Sequence, residues 1–257
     1  MDLKLKGKRV LVTGGSKGIG KACAQLFAEE GCVVMIASRD AASLQSAADE
    51  IRAATGASVT FKAVDLSQRG AAESLAQWAG SLDILVNNAG AIPGGDLLAV
   101  DEDTWRTAWD LKVFGYINLC RAVYRNMKAQ GHGVIVNVLG AAGERLTASY
   151  IAGSTANAGL MAFTRTLGGA SPKDGIRVLG VSPGPVATER LVKLFKQRAA
   201  SQFGDENRYA ELYEGMAFNR PASSEEIANT VVFAASERSS YTTGVYISID
   251  GGYAAAG

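Results

Sequence analysis

Thr13-Gly14-Gly15-Ser16-Lys17-Gly18-Ile19-Gly20 follows a short β-branched run at 9–13 and leads into a helix-length segment at 22–29. Glycines in such a stretch let the chain turn tightly and approach a phosphate closely. The helix behind them turns free N–H groups and the positive end of its dipole toward that anion. A glycine-rich loop alone is weak evidence, and this spacing differs from Gly-x-Gly-x-x-Gly. Its setting gives it weight. Six further apolar runs at 33–37, 59–64, 84–87, 134–138, 177–182 and 245–249 alternate with helix-patterned segments, among them 41–54, 104–130 and 154–168. Strands apolar on both faces suit a parallel sheet covered by helices on each side. The expectation is a doubly wound α/β fold, a seven-stranded parallel sheet with helices on both faces, forming a single domain over 1–257.

One segment breaks the rhythm. Residues 186–219 make a long excursion after the sixth strand and carry Phe195, Phe203, Tyr209, Tyr213, Met216 and Phe218. Ligands of open α/β sheets sit outside the carboxyl ends of the strands, where this excursion is placed to form a substrate lid. The alternative is that its aromatics pack a small core of their own.

The composition narrows the chemistry. The chain has 257 residues, with 26 Lys+Arg against 25 Asp+Glu, a net charge of +1 and 47% hydrophobic residues. So balanced a charge gathers neither nucleic acid nor an anionic membrane, and the partner expected is a small-molecule substrate. No apolar stretch approaches the ~20 residues of a membrane helix, and the expected location is the cytoplasm. Cys23, Cys32 and Cys120 lack metal-ligand spacing, so no metal site is expected. His132 is the single histidine and sits in the Gly-flanked turn Gln130-Gly131-His132-Gly133, which removes every mechanism that needs two imidazoles.

Beyond the glycine loop, with its T-G-x-x-x-G-x-G form, Asn87-Asn88-Ala89-Gly90 ends the fourth strand and Pro183-Gly184-Pro185-Val186-Ala187-Thr188 follows the sixth. Ile249-Asp250-Gly251-Gly252 closes the chain after Arg220-Pro221. Taken together these motifs resemble the short-chain dehydrogenase/reductase family over essentially the whole sequence. The resemblance implies a Rossmann domain. It also implies that Gly14 and Ser16, Lys17, Gly18, Ile19 and Gly20 hold a dinucleotide pyrophosphate, and that Asp65 and Leu66 flank the adenine. Asn88, Ala89 and Gly90 would line the cofactor, Pro183, Gly184, Val186 and Thr188 would face the nicotinamide, and Thr13 and Asn87 would be structural. A homo-oligomer, most often a tetramer, is implied as well.

At the end of the second strand, where an NAD enzyme tends to place an acid for the ribose 2′-hydroxyl, stand Ala37-Ser38-Arg39. Arg39 suits a 2′-phosphate, and Lys17 adds a second cation. Asp40 is readable as the missing acid, but an N-cap for the helix beginning at 41 is its plainer role. NADP(H) is favoured over NAD(H).

The family's catalytic group is a Tyr-x-x-x-Lys pair, a Ser at the end of the fifth strand and an Asn on the preceding helix. Aligned on Asn137-Val138-Leu139-Gly140 and Ala158-Gly159-Leu160, this sequence has Gly140 at the serine, Gly153 at the tyrosine, Asn157 at the lysine and Lys112 at the asparagine. Tyr150 lies three residues before Gly153, about 60° round a helix and ~4.5 Å back, so Tyr150, Ser154 and Asn157 are candidates for a rebuilt site. That geometry requires the helix to include Tyr150; otherwise it is a tyrosine packed at a helix entrance. Lys112 restores a positive charge, and burial would lower its pKa toward that of a proton donor, unless it reaches solvent or pairs with Asp110. Glycine at 140 and 153 suggests an enlarged cavity beside the nicotinamide. The expected function is an NADP(H)-dependent oxidoreductase that transfers hydride to or from a small carbonyl, alcohol or conjugated double bond. The alternatives are a catalytically silent dinucleotide-binding protein and a non-redox lyase or dehalogenase on the same fold.

Overall fold

The computed structural model describes residues 1–256. Its strands are β1 (Arg9–Thr13), β2 (Val33–Ser38), β3 (Val59–Ala63), β4 (Ile84–Asn87), β5 (Gly133–Val138), β6 (Ile176–Pro183) and β7 (Tyr246–Ile249). They form one sheet in the order β3-β2-β1-β4-β5-β6-β7, and every pair is parallel. All seven runs read from the sequence are strands.

Successive side chains on a strand point to opposite faces, so each strand feeds two cores. Val10, Val12 and Ile36 pack with α1 (Gly18–Glu29), α2 (Ala41–Thr55) and α8 (Ser224–Ala235) through Phe27, Leu44, Ile51, Ile227 and Val231. Leu11, Met35, Leu85 and Ile135 face the other way, onto α3 (Ala71–Ala79) and α5 (Gly115–Gln130) through Leu75, Leu119 and Met127. Cys23, Cys32 and Cys120 are buried free thiols in these cores. Arg177 on β6 crosses to the C-terminus of α8, where it donates to the carbonyls of Ala234, Ala235 and Ser236 at 2.9–3.2 Å, a cation at the negative end of the helix dipole.

Two helices differ from expectation at points that matter for the site. The segment read as one helix over 104–130 is α4 (Glu102–Trp109), a π-turn at Asp110–Phe114 and then α5. A π-turn inserts one residue into a helix, which the reading of a single helix over 104–130 does not include; Lys112 lies in its middle. The next helix, α6 (Ile151–Ala170), begins just after Tyr150, its N-cap at φ −141° and ψ 39°. The helical offset between Tyr150 and Gly153 therefore does not apply.

The 186–219 segment forms α7 (Glu189–Phe203) followed by 3₁₀ turns at Glu206–Tyr213 and Ala217–Asn219. Phe195 packs against Tyr213 with ring centroids 5.4 Å apart and planes tilted by 55°, and Tyr213 meets Tyr209 edge-on at 5.9 Å, so these three aromatics pack on one another. Among the described residues no helix is long and apolar enough to cross a membrane, and no cluster of metal-ligating side chains is found.

Candidate active site

The strand order reverses between β1 and β4, and the crevice at their carboxyl ends is where an open α/β sheet binds its ligand. The glycine loop occupies it. Gly14 and Gly18 have φ of +65° and +54°, the left-handed region that favours glycine. A Cβ on Gly20 would lie 2.2 Å from Gly14 O, and one on Gly15 would lie 2.7 Å from Ile36 Cβ, so α1 and the loop touch backbone to backbone. Thr13 Oγ1 accepts the N–H groups of Asn88 and Ala89 at 2.9 and 3.1 Å. Asn88 Nδ2 donates back to Thr13 O and Gly14 O at 3.0 and 3.3 Å. Asn88 therefore latches the loop to β4 with its side chain and does not project into the cleft.

No side chain caps α1, as none caps α3, α5 or α6, whereas Asp40, Asp101, Thr188 and Ser223 cap α2, α4, α7 and α8. The first N–H groups of α1 stay open above a glycine floor, and this arrangement fits a pyrophosphate. At the far end, Ser38 and Ser16 bring their hydroxyls to 3.3 Å. Asp40 accepts the N–H of Ser43 at 2.7 Å, and the Ser43 hydroxyl together with that N–H holds its carboxyl below the ordinary range. Arg39 has no ion-pair partner among the described residues and, with Asp65, Ile92, Leu111 and Arg190, lines a cavity of about 670 Å³.

The remaining expected cofactor residues have the following contacts. Lys17 and Glu189 of α7, both largely exposed, approach to 3.7 Å, and the Lys17 charge also acts on Asp40. Leu66 buries its side chain in the core, and Asp65 accepts the N–H and hydroxyl of Ser67. Gly184 donates its N–H to Ile249 O, Val186 is buried and bridges to Ala222, and Thr188 caps α7 beside Gly18. The stretch 183–188 is thus tied to the sheet edge and aimed back over the glycine loop. Ser154 Oγ accepts the N–H of Thr147 at 3.2 Å, which leaves its own O–H available to donate.

At the end of β5 the space expected to be open is occupied. A Cβ on Gly153 would lie 2.0 Å from Tyr150 Cε1 and 2.1 Å from its Cζ, so the Tyr150 ring rests on the glycine. Asn157 fills the space over Gly140, with its amide 3.1–3.3 Å from where a Cβ would be. The two glycines accommodate neighbouring side chains and do not widen the cavity. Asn157 Nδ2 donates to Gly153 O at 2.9 Å, whereas its buried Oδ1 has no partner. Burial raises the Tyr150 phenol above its ordinary pKa, and the charge of Arg190 opposes that rise.

Lys112 neither snorkels into solvent nor pairs with Asp110. Its stem lies over Gly90, and its Nζ donates to the carbonyls of Val138 and Leu139 at 3.5 and 3.4 Å, above the Tyr116 ring. Desolvation, aided by Arg190, lowers its pKa from 10.5 to about 8. Arg190, which the sequence reading did not single out, reaches back from α7 to Ile92 O. Its only signal in the sequence is its place two residues after Thr188.

A glycine-floored, uncapped helix N-terminus at the switch point of a parallel sheet is the setting in which open α/β folds bind a dinucleotide. Residues 14–254 match the family model described as enoyl-(acyl carrier protein) reductase. The chain belongs to the short-chain dehydrogenase/reductase family. It is 34% identical to a 3-oxoacyl-[acyl-carrier-protein] reductase of Chlamydia muridarum, over 99% of this chain and all of that one. The L-sorbose reductase of Gluconobacter frateurii, solved with NADPH and L-sorbose, superposes with a TM-score of 0.91 at 32% identity over 98% of both chains. An NAD⁺-bound xylitol dehydrogenase superposes at 0.87 with 28% identity, over 97% of this chain and all of that one.

Proposed function

We propose that the protein is an NADP(H)-dependent oxidoreductase in which Lys112 replaces the family's phenolic proton donor. The observation that carries this reading is the Lys112 ammonium, held at the end of β5 without a counter-ion and with a pKa near 8. A catalytic acid works best when its pKa lies near the operating pH, and the raised phenol of Tyr150 is less suited to that task. A bound NADPH would supply the hydride. A substrate carbonyl oxygen would take its proton from Lys112 Nζ, which recovers one from water. Tyr150, kept neutral, would offer its hydroxyl as a hydrogen-bond donor to the same oxygen. Asn157 Oδ1, buried and unpartnered, supports a role in accepting a hydroxyl such as that of a ribose. Residues 186–219 would act as the substrate lid.

The experiment is transfer of deuterium from labelled NADPH to a panel of ketones, oxo acids and enones. Binding of NADPH without transfer to any of them would leave a dinucleotide-binding protein without catalysis. The free guanidinium of Arg39, together with Ser38 and Ser16, supports the preference for a 2′-phosphate. Arg39→Asp is expected to weaken NADPH binding by roughly 10- to 100-fold, the worth of a charge-assisted bidentate contact, and to leave NADH binding within about threefold. Fluorescence titration of both cofactors checks it, and equal losses for the two would remove Arg39 from the 2′-phosphate.

A further inference from the structure

Arg190 is the second residue of α7, and its guanidinium turns inward across the cleft to donate one N–H to Ile92 O. No other protein acceptor meets the rest of the fork, and no carboxylate pairs with it among the described residues. Lys112, whose stem lies over Gly90, is in the same condition, since its ammonium meets only two backbone carbonyls at long range. The acids nearby are committed or turned away. Glu189 pairs with Lys17, Asp101 caps α4, and Asp65 accepts from Ser67. Asp103 stands on the cavity wall and bonds neither cation. Burial, and after it the nearby charge of Arg190, disfavours the Lys112 ammonium. An anion between the two cations offsets that penalty and fills the unused guanidinium fork, which matches a carboxylate in geometry.

We propose that Lys112 and Arg190 form a carboxylate-binding site, so that the substrate is an oxo acid, or in the reverse direction a hydroxy acid. Its carboxylate lies on Arg190 and its carbonyl oxygen toward Lys112. This rests on the oxidoreductase reading and adds the substrate class. The cavity that Arg190 lines also has Ile92, Pro93, Ala108 and Leu111 on its wall, an apolar surface for a short aliphatic tail. In reduction the carbonyl carbon gains hydride from NADPH and the oxygen gains the proton of Lys112, while the carboxylate is unchanged.

The test is calorimetric titration of 4-methyl-2-oxopentanoate, and of the neutral 4-methyl-2-pentanone, into protein saturated with NADP⁺. The oxidised cofactor prevents turnover and occupies the phosphate cradle, so an anion cannot report from there. The acid is expected to bind roughly 10- to 100-fold more tightly than the ketone, and Arg190→Met is expected to erase that preference while NADPH affinity stays within about twofold. Arg190→Lys should restore part of the preference, because it returns the charge without the fork. An acid that binds no better than the ketone, or an unchanged preference in Arg190→Met, overturns the site. Equal reduction of neutral ketones and acids would overturn it while leaving the oxidoreductase reading intact. An Arg190-dependent preference for the acid with no deuterium transfer to any substrate would do the reverse.

Discussion

Lys112→Met is expected to lower the rate of hydride transfer by roughly 10²–10⁴, the usual worth of a positioned proton donor, while NADPH binds as before. The same substitution is expected to make the protein more stable. Bringing the Lys112 pKa from 10.5 to about 8 means that the folded state holds the ammonium at a cost of up to about 3 kcal/mol at neutral pH. Methionine fills the same channel over Gly90 and Tyr116 without that cost, and the carbonyl of Val138 keeps its bond from the Tyr116 hydroxyl at 2.9 Å.

The sign with pH follows from the depressed folded pKa. Below about pH 8 both states carry the proton and the full cost is present. Between 8 and 10.5 the unfolded chain holds more protons than the folded one, so the stability of the native protein rises with pH. Thermal melts of the native protein and the variant should therefore differ most below pH 8 and converge toward pH 10.5. The rate of carbonyl reduction should fall as pH rises through 8, as the ammonium is lost. A variant that keeps its rate, or that melts lower at pH 7, would show Lys112 to be a structural residue.

Gly20→Ala is expected to disable the dinucleotide site. The new Cβ would stand 2.2 Å from Gly14 O and 2.5 Å from Asn88 Nδ2. Neither can give way cheaply, because Gly14 is pinned by its N–H to Ala37 O at 2.7 Å and Asn88 by the Thr13 latch. The loop or α1 must move by about an ångström to regain ordinary contact, which withdraws the open N–H groups from their places. NADPH affinity should fall by at least roughly 100-fold, and stability by about 1–3 kcal/mol, the range for overpacking a tight contact. Gly159→Ala is the control. Nothing lies within 4 Å of its Cβ on α6, so it should bind NADPH normally and gain up to about 1 kcal/mol from helix propensity. Equal affinity in Gly20→Ala and Gly159→Ala, read by fluorescence titration, would show that the backbone contact is not what shapes the cradle.

The strands were legible because buried parallel strands leave continuous β-branched runs, and all seven stand where the sequence put them. The glycine loop was legible for a related reason. Its requirement is local, left-handed backbone and close approach, and only glycine meets it at positions 14 and 18. Asp40 was also readable, since an N-cap depends on the three residues after it.

The catalytic end was far less legible, and its errors share one cause. Tyr150 was placed by helical arithmetic, yet it lies outside α6 and reaches Gly153 by folding its ring over the helix entrance. α7 comes back over the glycine loop and brings Glu189 to 3.7 Å from Lys17, a contact that spacing along the chain does not specify. Lys112 sits in a π-turn inside what reads as one helix over 104–130, and Arg190 enters the site from a segment nearly 80 residues further along the chain.

By itself, the sequence determined the sheet, the glycine cradle and the family, because these depend on short-range backbone demands and on which faces are apolar. Only the tertiary structure decided what fills the places of Gly140 and Gly153, which acid approaches Lys17, and which cation stands opposite Lys112. Those are contacts between side chains distant in sequence, and desolvation and charge pairing take their sign from neighbours that spacing along the chain does not specify.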